Sequence, residues 1–150
     1  MQKILQKFNI NGDTKSISTP LAPHFKLRGT MSPTTVKERE YMSYIPYAST
    51  VGSLMYNMVC IRPHLSQVVG MVNGYYHNLG KGHWKAVKWI LGYIKCTINV
   101  GLIFEKDTNS KKECAGYVDS DYATGLDKRR STMRYVFILS QAPISWRSNL

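Results

Sequence analysis

Apolar residues recur along this chain with two different periods, and the switch between them falls near Asn99. Before it they return every three or four positions. Val51, Leu54, Met55 and Met58 stand at i, i+3, i+4 and i+7 behind Pro46, which predicts a helix that starts after the proline and is broken at Pro63. Leu65, Val68, Val72 and Tyr75 or Tyr76 share one face of a second helix that should end between Asn78 and Gly80. Trp84, Val87, Leu91 and Ile94 line a third, from about Gly82 to Lys95. Upstream, Ile4, Leu5 and Phe8 predict the last turns of a further helix, stopped by Asn11-Gly12-Asp13. Residues 14–32, with Pro20, Pro23 and Gly29, read as an extended connector, and Ser32-Pro33 as the cap of a short charged helix reaching Glu40.

Beyond Asn99 the runs are short and strand-like. Residues 100–104, 115–120, 134–140 and 144–146 are the predicted strands, with a charged turn over 106–112 and a tight one at Gln141-Ala142-Pro143. Helices followed by a strand meander define an α+β fold, or the junction of two domains near residue 104.

Composition agrees with a packed core: of 150 residues 43% are hydrophobic and 11% aromatic. Charge adds more. Twenty Lys and Arg against nine Asp and Glu give a formal net charge of +11, a surplus that favours polyanionic partners, nucleic acid before an acidic membrane surface. No acid occurs between Glu40 and Glu105, so Arg62, Lys81, Lys85, Lys88 and Lys95 are not cancelled by sequence neighbours. On the third helix Lys81, Lys85, Lys88 and Lys95 fall within a sector of roughly 80°. Such a stripe is either a solvated outer face or a phosphate-contacting one, and the missing acids favour phosphate.

No apolar run approaches the roughly 20 residues of a membrane span. Cys60, Cys96 and Cys114 are odd in number, lack zinc-ligand spacing and follow no signal peptide. They read as reduced, buried thiols of an intracellular protein, cytoplasmic or nuclear. The histidines His24, His64, His77 and His83 show no metal or triad spacing and are expected at the surface or at helix caps.

The chemistry-bearing stretch is Gly116-Tyr-Val-Asp-Ser-Asp-Tyr-Ala123, followed by the basic run Lys128-Arg129-Arg130. Asp119 and Asp121 share one strand face, a possible start to a magnesium site. Asp119 in an apolar strand is expected to be costly unless a cation meets it.

Several segments together resemble copia-type LTR retrotransposon Pol polyproteins. Ser18-Thr-Pro-Leu21, Tyr47-Ala-Ser-Thr-Val-Gly-Ser-Leu-Met-Tyr56, Arg62-Pro63 and His83-Trp-Lys-Ala-Val-Lys-Trp-Ile-Leu91 are similar to the end of the reverse transcriptase region, and residues 116–148 to the opening of the ribonuclease H domain. The resemblance implies a C-terminal, thumb- or connection-like part of reverse transcriptase over 1–104 and the first antiparallel strands of an incomplete ribonuclease H-like fold over 105–150. It assigns Asp119 to the catalytic, metal-binding aspartate. Mg2+ is the cofactor of the full-length family; one Asp does not clamp two ions about 4 Å apart, so tight binding and hybrid cleavage are not expected of this chain alone. Aggregation or local disorder is expected beyond about residue 105. The implied partners are RNA/DNA hybrid or other nucleic acid and other Pol chains, with no membrane; as an alternative reading from the charge pattern, the chain is a non-catalytic nucleic-acid-binding module that uses Lys81, Lys85, Lys88, Lys95, Lys128, Arg129 and Arg130. Two positions depart from the family pattern: Arg134 stands where Gly is usual, and His64 where Asp is.

Overall fold

The computed structural model describes residue 5 and residues 17–104, 113–121 and 131–149, excluding the side chains of Asp121, Thr132 and Asn149. The predicted first helix apart from Leu5, the turn over 106–112 and the basic run Lys128-Arg129-Arg130 lie outside the described residues.

Four α-helices come first: α1 (Val36–Ser43), α2 (Tyr47–Ile61), α3 (Ser66–Asn73) and α4 (Lys81–Cys96). Thr35, not Ser32, caps α1, because its hydroxyl accepts from the Glu38 N–H at 3.2 Å while the Glu38 carboxylate accepts from the Thr34 N–H at 3.3 Å. A single 3-10 turn at Pro63–Leu65 separates α2 from α3. The helix α3 stops at Asn73, earlier than its apolar pattern suggests, and turns continue the chain towards α4. There the Gly80 N–H donates to His83 Nδ1 at 3.0 Å. A Cβ on Gly80 would sit 1.6 Å from the Met31 carbonyl oxygen, so only glycine allows this approach.

Val51 and Leu54 from α2, Val68, Val69 and Val72 from α3, and Val87, Ile90, Leu91 and Ile94 from α4 form one core with Leu5, Leu27 and Tyr47. These are the stripes that a 3.6-residue period requires. The buried Tyr47 hydroxyl donates to the Val72 carbonyl at 2.7 Å, joining α2 to α3. The connector before α1 is pinned across the helices by Trp89 Nε1 donating to the Thr19 carbonyl and Tyr75 Oη to the Leu27 carbonyl.

Three antiparallel strands follow in the order β1 (Cys114–Asp121), β2 (Thr132–Leu139), β3 (Ala142–Asn149). The predicted strand over 100–104 is absent. That stretch is irregular, with Val100, Ile103 and Phe104 exposed and no ladder to join among the described residues. Leu139 pairs with Ala142 across a two-residue turn whose members, Ser140 (φ 47°) and Gln141 (φ 68°), are both left-handed. These are the angles a tight hairpin wants, reached here without glycine. Pro143 is tolerated inside β3 beside a register shift at Phe137/Ile138. The sheet meets the helices through β3: Trp146 Nε1 donates to the Met58 carbonyl at 2.9 Å, and the Ser148 carbonyl lies close over Gly70. Fold class is therefore α+β, with helices preceding an antiparallel sheet.

Candidate functional site

Helix α4 turns its apolar stripe inward and leaves lysines on the other side. The short helix α1 crosses beside them, and the two enclose a groove of ≈ 410 Å³ lined by Lys37, Glu38, Tyr41, Lys81, Trp84, Lys85 and Lys88. Three of the four predicted α4 lysines therefore converge on one surface. Lys95 is half-buried further along α4 and does not line the groove. Lys37, Tyr41 and Trp84 were not legible as site residues. Trp84 read as part of the apolar stripe, yet its ring reaches the groove edge with Lys88 Nζ 5.7 Å from its centroid. Tyr41 is 54% exposed, and Lys81 Nζ stands 5.7 Å from its ring centre. At that distance an ammonium is attracted to the ring face but still solvated.

The lysine face was expected to lack any local acid. Glu38 corrects this: distant in sequence but adjacent in space, its carboxylate lies 3.6 Å from Lys81 Nζ. The Thr34 N–H holds the Glu38 carboxyl below its ordinary value, with Lys81 adding to the effect. Four lysines against one carboxylate still leave the groove strongly positive.

Arg62 belongs elsewhere. Counted among the uncancelled cations, it proves to be 1% exposed. Nη1 donates to Thr97 Oγ1 at 3.0 Å and Nη2 donates to the Thr97 carbonyl, at the C-terminal end of α4. A guanidinium there meets orphan carbonyls and the negative end of the helix dipole. Burial lowers its pKa from the ordinary arginine value. This explains the Arg62-Pro63 pair structurally: arginine ties two helix ends together, and proline opens the next turn.

The histidines behave as expected at exposed or capping positions. His83 is fully buried, its Nδ1 accepting from Gly80, its Nε2 3.1 Å from the Arg28 carbonyl, and its ring stacked on Tyr75. His24, His64 and His77 are exposed. The cysteines do not match expectation, since Cys60, Cys96 and Cys114 are all exposed. Each sits at or next to the end of an element, on its outer side, where a small apolar group gains little from the core.

Asp119 lies on β1, whose described side chains from Cys114 to Ser120 are all exposed. Its carboxylate is 68% exposed, so the burial cost foreseen for an ion in an apolar strand does not arise. The cation that meets it is Arg134, its direct cross-strand partner, with Nη1 at 3.5 Å from Oδ2. Magnesium requires several oxygen ligands, and among the described residues no three His, Cys, Asp or Glu side chains cluster. Among the described residues, the donor set at Asp119 does not fit the ion.

Comparison with known proteins places the chain. It is 45% identical over all 150 residues to the retrovirus-related Pol polyprotein from transposon TNT 1-94 of Nicotiana tabacum, covering 11% of that protein. It is 33% identical over 137 residues to the corresponding polyprotein from transposon RE2 of Arabidopsis thaliana, spanning 89% of this chain and 9% of that one. A third relative is the secreted RxLR effector protein 161 of Plasmopara viticola, 39% identical over 107 residues that make up 71% of this chain and 74% of the effector. The chain matches a segment of retrovirus-related Pol polyproteins from transposons, which fits a copia-type Pol fragment. It spans about a tenth of the length of the polyproteins it matches. No protein-family model matches it, and no solved structure does. Among the described residues, no helix is long and apolar enough to cross a membrane.

Proposed function

We propose that this chain is a nucleic-acid-binding segment of a copia-type Pol polyprotein, taken from the junction of its reverse transcriptase and ribonuclease H regions, without hybrid cleavage of its own. The observation that carries the reading is the α1/α4 groove, where lysines from two helices converge on one surface. Phosphate neutralisation by such lysines releases counterions, and that supplies affinity without sequence preference. RNA/DNA hybrid is the partner that the family resemblance favours. Support for the non-catalytic part comes from Asp119, whose carboxylate pairs with a guanidinium on the neighbouring strand.

The test is fluorescence anisotropy with a labelled RNA/DNA hybrid between 50 and 200 mM salt. Each neutralised phosphate contributes about −0.9 to the slope of log K against log salt. Lys37, Lys85 and Lys88, the groove lysines other than the one beside Glu38, predict a slope near −3 by that rule. Lys85→Glu with Lys88→Glu should bring it to about −1 by the same rule. Salt-independent binding, or an unchanged slope in the double variant, removes the groove as the binding surface.

A further inference from the structure

The groove has two components, and lysines explain only one of them. A surface that read phosphates alone would need no aromatic rings, yet Tyr41 and Trp84 enter the same ≈ 410 Å³ space from opposite helices. Each ring has a lysine ammonium 5.7 Å from its centre, Lys81 at Tyr41 and Lys88 at Trp84. Resting on the proposed function of this groove, we infer that its substrate is single-stranded nucleic acid, with unstacked bases laid on Tyr41 and Trp84 and phosphates held by the lysines between them.

The physical argument is an exchange. An exposed ammonium near an aromatic face holds it weakly, because water competes for the charge. A nucleobase offers that face a larger, apolar partner, and stacking on an aromatic side chain is sequence-tolerant because every base has a π-face. The displaced lysine loses the ring and gains a phosphate, the stronger partner for a point charge. In a duplex the bases are already stacked on one another and paired, so their faces are not offered to the groove. Duplex binding would therefore use the lysines and leave the rings idle. Single strands would use both.

Tyr41 is the better probe, because it is largely exposed and its loss leaves the core intact, whereas Trp84 also packs against the buried cluster. Anisotropy titrations with labelled dT12 and with a 12-base-pair RNA/DNA hybrid would use wild type, Tyr41→Leu, Tyr41→Phe and Lys85→Glu. The expected result is that Tyr41→Leu weakens dT12 by roughly fivefold or more, the loss of one stacked base. Its salt slope should be unchanged and its hybrid affinity unaltered. Tyr41→Phe should restore dT12 binding, and Lys85→Glu should weaken both ligands. Equal weakening of both ligands by Tyr41→Leu, or none, overturns the stacking inference while salt-dependent binding through Lys85 stands. No salt-dependent binding of either ligand overturns the proposed function itself.

Discussion

Replacing Arg62 separates the cations that hold the molecule together from those that face a partner. The guanidinium makes two charge-assisted donations to Thr97, each worth about 1.5–3 kcal/mol. Against them stands the cost of keeping a charge 1% exposed, several kcal/mol for an ion out of water. Among the described residues, no acceptor takes a hydrogen bond from its Nε–H to offset part of that cost. Arg62→Ala removes both donations, relieves the desolvation and empties the volume of the side-chain stem, which adds a cavity penalty of about 2 kcal/mol. The net should be near 3 kcal/mol, a large share of a typical domain's 5–15 kcal/mol. Arg62→Met keeps the stem and drops the charge, so its cost should be about 1 kcal/mol. Urea unfolding followed by far-ultraviolet circular dichroism measures both. At a slope near 2 kcal/mol per molar, the Ala midpoint should fall by about 1.5 M and the Met midpoint by about 0.5 M, with slopes unchanged. Folded Arg62→Met should bind nucleic acid with the wild-type salt slope, because Arg62 meets no phosphate. An Ala variant within 1 kcal/mol of wild type, a Met variant as damaged as Ala, or a salt slope about 0.9 shallower in Arg62→Met would refute the reasoning.

Gly80→Ala should cost about 3 kcal/mol in the same urea assay, because the new Cβ meets the Met31 carbonyl rather than a yielding side chain; a neutral change would mean that the two backbones part easily. The pKa of His64 is lowered from 6.5 by partial desolvation against its neighbours, although the residue is exposed overall, and then by the Arg62 charge. Its proton is thus bound more tightly in the unfolded chain. Its contribution is full above pH 6.5 and is lost as pH falls from there towards the folded value. Urea midpoints of wild type and His64→Asn at pH 7.5, 6.5 and 5.5 should converge as the solution is acidified, and parallel curves would remove His64 as a source of the pH dependence. Asp119→Asn should shift stability by less than about 1 kcal/mol, since its ion pair is exposed. Magnesium-dependent hybrid cleavage by purified wild type that disappears in Asp119→Asn would overturn the non-catalytic reading.

What was legible in the chain was periodicity. Val51, Leu54, Val68, Val72, Val87 and Leu91 are buried where a 3.6-residue period put them, because helix faces are set by local geometry. Three β-strand segments, around Asp119, Val136 and Trp146, were legible from the switch to short strand-like runs. The stretch 100–104 misled because an apolar run becomes a strand only when another strand supplies its hydrogen bonds. The site was half legible. The α4 lysine stripe appears within one helix, but Glu38, Tyr41 and Lys37 join it through a crossing of two helices more than 30 positions apart, which no local pattern encodes. Arg62 and Lys85 are both basic residues in the same acid-free stretch, and only their opposite burial tells structural charge from available charge. Arg134 showed as an oddity of type, while its meaning came from register, which sets it directly across from Asp119.

The bend between β2 and β3 has a kinetic corollary. Ser140 and Gln141 both carry side chains at angles that ordinary residues occupy at a cost of about 1–2 kcal/mol apiece. A reversal built that way does not nucleate readily by itself. The pairing is anchored further along the ladder, where Val136 faces Trp146 and the indole finds its acceptor on α2. The helical layer is thus a template against which the last two strands register, and the corner is expected to close last, so that substitutions at Gln141 should change the unfolding rate more than the folding rate.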